Sequence, residues 1–483
     1  MDLRFTELKV RIRKDQVHVR IICFMLFSIT AVMVNAQEFI GLAIDNYTPS
    51  NGMQLNPSVI VDQKPWLDIQ VVGAGAHVTN NFGYIQNSTL LNISNYQNIG
   101  FNASRKNGWA QLNTQITGPS ASLSLGKYAF GFHSAVRLMG NANKLPIPYA
   151  ELYTTDPDPI EDSTVFKVNN TRVKSLGWGE IGLTAGAILY QFDKHLITGA
   201  ITINRLLGLQ SVALIIDEGS LMVVNNKGYL LDGNGKYGFA NPGFTVGGGW
   251  SGSLGFTYKR MLTDISNYVP HGRSFGCHTL GYKWKVSGSI VDLGGIRIKR
   301  NSGYNKFTSE DDDDGDAYLN ALESGGDFTG IPVDGSKYTA WLPVGINAQF
   351  DYNLQNGIFL NGLITQRASL ASSYGPDRSN LIAVSARYER KHFMVLLPLS
   401  LENYQDPHLG LALRLSILTI GTENMLPFIV KSDIYTADIY FALRLRFYKA
   451  PGCKTKPPKG LENFKFSEIF RRTEKSLDAC PDW

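Results

Sequence analysis

Leu409-Gly-Leu-Ala-Leu-Arg-Leu-Ser-Ile417 alternates large aliphatic residues with small or polar ones, and Arg414 lies among the latter. The aliphatic residues are Leu409, Leu411, Leu413, Leu415 and Ile417. A side-chain period of two predicts a β-strand, because successive Cβ atoms point to opposite faces. Two environments fit this pattern. Either a soluble sandwich buries the aliphatic face, or lipid covers it while Arg414 points into a polar lumen.

The same alternation recurs in long segments over most of the chain, as at 342–352 and 435–447. The pattern predicts about 14 strands of about 9–13 residues, the length that crosses a bilayer at a tilt. Strands of a soluble sandwich usually have about 5–6 residues. The sequence therefore predicts an all-β fold, a transmembrane antiparallel outer-membrane β-barrel of about 14 strands. A large secreted β-sandwich or propeller is the alternative.

Glycine-containing sequences predict where some of these strands end. Gly118-Pro119 is predicted to turn the chain between strands at 109–116 and 121–125. The region 210–247 is ambiguous, and we expect one or two strands there around a turn at Gly233-Asn-Gly235.

The first 36 residues have the features of a secretory signal peptide. Basic residues precede an apolar core at 21–34, and Val34-Asn35-Ala36 precedes the expected cleavage point. This core is shorter than the roughly 20 residues that span a bilayer, which disfavours the alternative of an uncleaved anchor helix. We therefore expect Sec-dependent export, cleavage after Ala36 and residence in the outer membrane of a Gram-negative bacterium.

Four segments follow along the chain. They are the signal peptide at 1–36, a plug-like N-terminal segment at 37–65, the barrel at 66–449 and a polar periplasmic tail at 450–483. Residues 37–62 contain recurrent Asn, Pro and Gly and have poor apolar spacing, so we expect them to plug the lumen. Asn56-Pro57 lies in this segment shortly before the first strand.

The opposite strand faces would line the lumen if the aliphatic faces meet lipid. The predicted lumen-lining residues are Arg137, Glu180, Lys259, Lys283, Lys285, Asp351, Arg387, Arg414, Asp438, Arg444 and Arg446, together with Asp68 and Glu389. Their mild excess of positive charge would guide anions or a fatty carboxylate. A ladder of salt bridges that fills the interior is the alternative.

The whole chain has 46 basic and 41 acidic residues, a balance that favours no nucleic-acid partner. The expected partners are the lipid bilayer and lipopolysaccharide. The sequence has no His-Glu-x-x-His pattern and no phosphate-binding loop, and its histidines are scattered. We therefore predict no enzymatic activity, and no cofactor apart from the calcium ion considered next.

The second of two predicted long loops, at 140–174 and 301–336, holds the acidic run Glu310–Asp316. An alignment of Gly315 with the sixth position of a calcium-binding loop makes four carboxylates candidate ligands: Glu310, Asp312, Asp314 and Asp316. The twelfth position is Ala321 where that loop needs Glu. A solvated acidic loop that contacts lipopolysaccharide is therefore the alternative to a Ca²⁺ site.

The four cysteines suggest one disulfide. Cys23 leaves with the signal peptide, whereas Cys453 and Cys480 lie in the polar tail, where export permits them to pair. Cys277 would then be unpaired, and we expect a small strand residue there.

Two resemblances to known families follow. A segment that ends in Asn56-Pro57-Ser58 ahead of a 14-stranded barrel resembles the long-chain fatty-acid transporter (FadL) superfamily, which includes PorV-like accessory proteins of type IX secretion. Three segments resemble a family of uncharacterised outer-membrane barrels from bacteria that use type IX secretion: 43–57, 286–296 and 342–352. The second resemblance implies a location and a fold and supplies no catalytic residues.

Two functions remain open. The first is a FadL-like porin or transporter for small hydrophobic or anionic solutes. The second is a non-transporting structural or accessory component of an outer-membrane secretion machinery, whose proteins would then be partners.

Overall fold

The computed structural model describes residues 39–92, 99–102, 107–147, 164–224, 227–243, 245–308, 316–319, 321, 328, 330–368 and 374–450. The predicted signal peptide and nearly all of the polar tail, with Cys453 and Cys480, lie outside these ranges.

Short helices open the described chain. Helix α1 spans Ile40–Ala43, α2 spans Pro49–Leu55, and a 3-10 helix follows at Pro57–Ile60. Pro49 and Pro57 each lie in a first turn, where the missing N–H removes no helical hydrogen bond. Asn56 caps the 3-10 helix, because its side-chain oxygen accepts a hydrogen bond from Ser58 N at 3.0 Å.

Strands make up most of the remaining described chain. Their bounds are β1 Leu67–Asn80, β2 Gly83–Ser88, β3 Ile99–Phe101, β4 Asn107–Thr117, β5 Ser120–Leu125, β6 Tyr128–Pro146, β7 Thr164–Phe192, β8 His195–Val224, β9 Lys227–Ala240, β10 Gly247–Met261, β11 Tyr282–Ile298, β12 Ser302–Phe307, β13 Tyr338–Trp341, β14 Val344–Asn353, β15 Ile358–Ala368, β16 Leu381–Glu389, β17 Phe393–Glu402, β18 Asp406–Leu409, β19 Leu411–Leu415, β20 Leu418–Thr422, β21 Ser432–Ile434 and β22 Thr436–Phe447. Helix α3 lies at Leu426–Ile429, and a second 3-10 helix at Arg273–Phe275.

The strands form a closed antiparallel barrel of 14 strands, which confirms the predicted fold class. Three barrel strands are made of two segments each, namely β4 with β5, β13 with β14, and β18 with β19. Strands β1 and β22 pair to close the barrel, with Leu67 opposite Phe447. We call the rim at Leu67 and Phe447 the near rim and the opposite end the far rim. Closure leaves the barrel without an open edge.

The two faces of the barrel wall differ in polarity. Leu183 is 66% exposed on the outside, whereas its neighbour Thr184 is 3% exposed. The opening stretch behaves in the same way, since Arg414 is buried and Leu415 is exposed. Large apolar side chains outside and polar ones inside are the reverse of a soluble protein and are typical of a wall that faces lipid.

No helix in the described part of the chain is long and apolar enough to span a membrane.

The predicted turn at Gly118-Pro119 is wrong, because these residues lie within one barrel strand. Segments β4 and β5 pair with β1 on one side and β6 on the other. Gly118 N still donates to Ser134 O at 2.8 Å, whereas proline has no N–H to give to β1. The register of β1 shifts between Gln70 and Val72 on its other side, so the wall is irregular at this level.

The opening stretch is also less regular than its alternation predicts. Gly410 separates β18 from β19, and Ser416, with a positive φ of 51°, lies in the turn to β20. The aliphatic alternation continues through this turn to Ile417, and for that reason the pattern missed β20.

The predicted turn at Gly233-Asn-Gly235 lies inside β9, where Gly233 is opposite Gly219 of β8. Strands β7 and β8 have 29 and 30 residues, far more than the ~9–11 that cross a bilayer. With β9 and β12 they form an extension beyond the far rim. The predicted loops at 140–174 and 301–336 therefore contain parts of β6, β7 and β12.

Apolar side chains stabilise this extension from within. Its buried cluster includes Leu214, Tyr237, Phe239 and Tyr318, and the Tyr237 and Tyr318 rings stack with centroids 4.4 Å apart. Residues 316–319 cover the sheet, since Tyr318 OH donates to the backbone oxygen of Ala213. The extension thus has a core of its own.

Candidate functional site

Residues 39–62, the N-terminal segment, contact inward-facing side chains on strands from different sides of the barrel. The backbone oxygen of Leu55 accepts hydrogen bonds from Ser289 Oγ at 2.6 Å and Asn347 Nδ2 at 3.0 Å. Ser58 Oγ lies 2.7 Å from Thr257 Oγ1. Side-chain hydrogen bonds, rather than strand pairing, join the segment to these strands.

Asn56 and Pro57, the predicted plug motif, pack directly against strand β10. Asn56 Nδ2 is 3.4 Å from the backbone oxygen of Phe256. A Cβ added at Gly255 would lie 2.0 Å from Asn56 Oδ1 and 2.9 Å from Pro57 Cδ. Only glycine therefore leaves room at this wall position for the Asn-Pro turn.

Two more wall glycines accept side chains of the segment. A Cβ at Gly131 would lie 2.8 Å from Met53 Sδ, and one at Gly186 would lie 2.6 Å from Val61 Cγ2. The segment and the wall are thus complementary in shape on strands β6, β7 and β10.

An ion pair between Asp45 and Arg414 joins the segment to β19. Arg414 Nε lies 2.5 Å from Asp45 Oδ2, and both side chains are fully buried. Burial acts to raise the pKa of Asp45, but the Arg414 guanidinium and the Tyr47 amide hold that pKa below its ordinary value. Asp45 is therefore ionised at neutral pH.

Arg387 on β16 binds the same part of the segment. Its Nη1 donates to the backbone oxygen of Ile44 at 2.9 Å, and its Nη2 lies 3.1 Å from Asp351 Oδ2. Its Nε lies 2.7 Å from Glu389 Oε2. This buried guanidinium is therefore balanced by two carboxylates.

Asn46 joins the segment to an acidic and to a basic residue of the wall. Its Nδ2 donates to Glu389 Oε1 at 3.0 Å and to Tyr282 OH at 2.9 Å. Its Oδ1 accepts from Lys285 Nζ at 3.0 Å. One amide thus uses its donor and acceptor sides together.

The end of the segment is held at the near rim. Asp62, at a positive φ of 58°, lies 2.8 Å from Lys259 Nζ. Tyr268 OH donates to its other carboxylate oxygen at 2.5 Å. Tyr268 lies in the loop between β10 and β11, so that loop also contacts the segment.

Two further predicted lumen residues lie on the pair of strands that closes the barrel, Asp68 on β1 and Arg444 on β22. Arg444 donates to Gln70 Oε1 from Nε at 3.1 Å and from Nη2 at 3.0 Å. Asp68, which is fully buried, accepts from Ser50 Oγ at 2.5 Å. Arg446, nearer the rim, is only partly buried.

A separate network lies toward the far rim. Arg137 Nη1 is 3.1 Å from Asp292 and 3.5 Å from Glu180. Arg378 Nη2 is 2.5 Å from the same Asp292 carboxylate. Trp178 Nε1 donates to Glu180 at 2.9 Å.

Asp438 lies beside the start of the segment, near Glu423 in the loop after β20. Asp438 accepts from Asn424 N at 2.9 Å and from Thr422 Oγ1 at 3.0 Å. Glu423 Oε1 accepts from Gly41 N at 3.4 Å. Burial and the nearby Asp438 charge raise the pKa of Glu423 to about 8.

Lys283 is exposed, which corrects its prediction as a lumen residue. The register between β10 and β11 shifts here, with Met261 opposite Tyr282 but Arg260 opposite Trp284. This bulge reverses the alternation at the start of β11. Tyr282 therefore points into the lumen and is buried, whereas Lys283, the predicted lumen residue, points outward.

Sequence reasoning missed the partners that the N-terminal segment supplies. Asp45 and Asp62 are the only charged residues in 39–62, and the predicted lining has an excess of bases. The presence of two acidic residues in an otherwise uncharged segment was the available signal that the segment pairs with basic residues of the lining, here Arg414 and Lys259.

Cavities lie on both sides of the segment. One is lined by Phe39, Leu42 and Leu55 and by wall residues such as Gln115 and Met139. The other is lined by wall residues Lys259, Lys285, Tyr282, Ser287 and Gln349. Ala43 borders both cavities, so the segment separates them.

The calcium prediction falls mostly outside the described residues. Of its four carboxylates only Asp316 is described, and it accepts a hydrogen bond from Leu230 N. Within the described ranges, no group of three or more His, Cys, Asp or Glu side chains is arranged to hold a metal ion.

Cys277 is disulfide-bonded and lies in the loop after the second 3-10 helix, which corrects its prediction as an unpaired strand residue. The other three cysteines are outside the described residues.

The pattern Gly-x-Ser-x-Gly occurs at Gly272–Gly276. A nucleophilic serine needs this pattern on a sharp turn between a strand and a helix. Here it forms a 3-10 turn in a rim loop, with Ser274 exposed and without a hydrogen bond to a histidine in the part of the chain that is described. It is not a nucleophile elbow.

A model of a protein family described as a family of unknown function, DUF5723, matches residues 57–423. No curated protein matches the chain significantly.

The chain is similar to several solved structures. The toluene transporter TodX of P. putida has 9% identity and a TM-score of 0.40, over 84% of this chain and 95% of that chain. A FadL homologue of Pseudomonas aeruginosa has 11% identity and a TM-score of 0.38, over 86% and 97%. The outer membrane protease OmpT of Escherichia coli has 8% identity and a TM-score of 0.18, over 79% and 96%. At these TM-scores the similarities carry no argument about fold or function.

Proposed function

The chain belongs to DUF5723, a family of unknown function, and we propose that it is an outer-membrane barrel that admits small hydrophobic or anionic solutes past its N-terminal segment. In this proposal the segment is a plug. Solutes pass when the plug shifts.

The wall supports residence in a bilayer. Its outward apolar side chains include Leu183, Ile203, Phe256 and Leu399, all of them exposed. Exposing such a face to water would cost ~25 cal/mol per Å² of apolar area, so lipid is the expected neighbour. The proposed partners are the lipid bilayer and lipopolysaccharide.

The position of the segment between two cavities is the observation that carries the proposal. It fills the space between them, yet the bonds that hold it in the described chain are side-chain hydrogen bonds and ion pairs. Such contacts can break and reform without disturbing the backbone pairing of the barrel. A closed lumen with a removable element is the arrangement that a gated channel requires.

A reversible lock tests the plug. Ser58 and Thr257 face each other with their oxygens 2.7 Å apart, a spacing that suits a disulfide in the variant Ser58→Cys/Thr257→Cys. We expect proteoliposomes with the oxidised variant to take up neither chloride nor dodecanoate, and reductant to restore the wild-type uptake rate. The wild type and Ser58→Cys alone, each with and without reductant, control for reduction at Cys277.

Two outcomes would contradict this function. One is wild-type protein that passes neither solute, even after deletion of residues 39–62. The other is equal uptake by the oxidised and the reduced double variant.

The extension beyond the far rim favours a second candidate, a structural or accessory role in an outer-membrane secretion machinery. Its strands continue well past a bilayer and have their own apolar core, which suits contact with another protein. A photoreactive residue in place of exposed Asp217 tests this role in cells. Crosslinks to a secretion protein, without solute uptake, would favour it over the channel.

A further inference from the structure

We propose that the far-rim mouth of the lumen, the cavity between β4, β6, β7 and the loops at 374–380 and 403–405, binds an acidic saccharide. This inference rests on the proposed function and specifies one solute class for the same lumen.

The mouth is a cavity of about 550 Å³. Its lining residues are Asn107, Gly108, Trp109, Ala110, Gln111, Asn141, Asn143, Lys144, Asn170, Arg172, Arg367, Asp377, Arg378, Asn380, Asn403 and Gln405. This volume is within the range of ~300–1,000 Å³ that is usual for ligand sites. Gln111 and Arg378 also line the inner cavity beside the N-terminal segment, so the two spaces adjoin.

Positive charge dominates the mouth. Within the described ranges, Lys144, Arg172 and Arg367 form no ion pair with a carboxylate. Asp377 is the single carboxylate among the described lining residues, and it already lies 3.5 Å from Lys174 Nζ. Arg172 and Arg367 are close enough to repel the Lys174 charge, so these cations converge. An anionic group on a ligand would relieve this repulsion.

Carboxamides are the most frequent side chains of the mouth, eight of the lining residues. Asn141 is 8% exposed, and its Nδ2 has no hydrogen-bond partner among the described residues, although its Oδ1 accepts from Asp377 N at 2.8 Å. Farther in, Asn51 Oδ1 and Gln54 Nε2 are likewise buried, without a partner in the part of the chain that the structure describes. Buried polar atoms normally have partners, so these atoms indicate a polar ligand.

Amides match hydroxyl groups, because each offers donors and an acceptor to a group that both donates and accepts. Trp109 adds an indole to the mouth and is only partly buried, which suits contact with the C–H face of a sugar ring. A fatty carboxylate would satisfy the cations and leave the amides unpaired. An acidic saccharide satisfies both.

Equilibrium binding tests this class. Purified barrel in detergent is titrated by calorimetry with trigalacturonate, with the neutral trisaccharide maltotriose and with dodecanoate. We expect trigalacturonate to bind at least about tenfold more tightly than either of the others, because only it carries both carboxylates and hydroxyls. Equal binding of dodecanoate and trigalacturonate, or no binding of trigalacturonate, would overturn the inference.

Variants locate the site. Arg172→Gln with Arg367→Gln should weaken trigalacturonate binding by about tenfold or more, whereas Arg300→Gln, which removes an exposed arginine after β11 near the far rim, should leave it unchanged. Equal losses in both variants would place the ligand elsewhere. Displacement of trigalacturonate by lipopolysaccharide would assign the site to a lipid-borne saccharide, and no displacement would assign it to a free one.

Uptake separates this inference from the proposed function. Trigalacturonate binding in the mouth, with no uptake of chloride or dodecanoate into proteoliposomes, would refute transport and leave the site standing. Uptake of chloride and dodecanoate without any trigalacturonate binding would refute the site and leave the channel standing.

Discussion

The near half of the lumen and the far mouth differ in whether their basic side chains are paired with carboxylates. In the near half each buried cation that meets the N-terminal segment has a carboxylate, as in Arg414 with Asp45 and Lys259 with Asp62. Within the described chain, Arg172 and Arg367 of the far mouth form no ion pair with a carboxylate, and Asn141 Nδ2 has no hydrogen-bond partner. Burying paired charges serves to hold one protein segment, whereas unpaired charges around an open space are suited to a mobile ligand.

This contrast explains why one set of polar side chains is structural and the other is a candidate binding site. The near pairs satisfy each other inside the folded chain, so a solute gains little by approaching them. In the mouth, by contrast, Asn141 Nδ2 can still donate a hydrogen bond to a ligand. Four changes test the contrast, from the largest expected effect to the smallest.

Removing the Asp45 carboxylate should loosen the near half most. Asp45→Asn leaves a buried guanidinium without its counterion, which costs about 3–5 kcal/mol in comparable buried pairs. We expect hydrogen–deuterium exchange of residues 39–62, measured by mass spectrometry, to accelerate by about a hundredfold or more. Asp193→Asn is the matched control, because the Asp193–Arg260 pair is exposed, 3.7 Å long and worth under about 1 kcal/mol. Unchanged exchange in Asp45→Asn would show that the ion pair does not hold the segment.

Crowding the wall at Gly255 should have the next largest effect. Gly255→Ala places a Cβ against Asn56 and Pro57 and should cost about 1–3 kcal/mol of overpacking. Gly362→Ala, on β15, is the control, since nothing lies within 4 Å of its Cβ. The temperature at which the heat-modifiable gel band shifts should fall in the first variant only. A fall of the same size in both would mean that substituting glycine, and not the Asn-Pro contact, is responsible.

Stability should depend on pH through Glu423. Its pKa rises on folding from the ordinary 4.5 to about 8, so its stabilising contribution is complete below pH 4.5 and is lost as pH rises toward 8. Glu423→Gln should remove this loss, raising stability at pH 8 relative to wild type while changing little at pH 4. Thermal unfolding from pH 4 to 9 measures the difference, with exposed Glu218→Gln as control. Parallel curves for Glu423→Gln and wild type would be inconsistent with a buried, protonated Glu423.

Added salt should have the smallest effect of the four changes, and it should affect the far mouth but not the near half. Raising NaCl from about 0.1 M to 1 M shortens the Debye length from about 10 to 3 Å and screens open charges more than buried pairs. Trigalacturonate binding at the mouth should weaken several-fold, while exchange of residues 39–62 should stay constant. Opposite responses would mean that the near pairs are solvated and the mouth is closed.

The alternation in the chain predicted the barrel because each strand position has a fixed parity. Leu415 and Arg414 fall on opposite faces whatever they pair with, and the lipid-facing and inward-facing sets follow from that. The same reasoning failed at Lys283, where a single bulge residue inverted the faces of one strand end. It also failed at Gly118-Pro119, since turn chemistry and a kink inside a strand use the same residues.

The sequence by itself determined the architecture, because alternation is a local property that each strand carries independently. Only the tertiary structure decided which charged side chains form ion pairs. In the sequence Arg414 cannot be distinguished from the other predicted lumen arginines. In the structure it lies 2.5 Å from Asp45, which is 369 residues earlier in the chain. Arg172 on β7 and Arg367 on β15 line one cavity only because the closed barrel brings these distant strands to the same mouth. Pairing across a closed barrel is a long-range property, and it makes Arg414 a structural anchor and the mouth a candidate site.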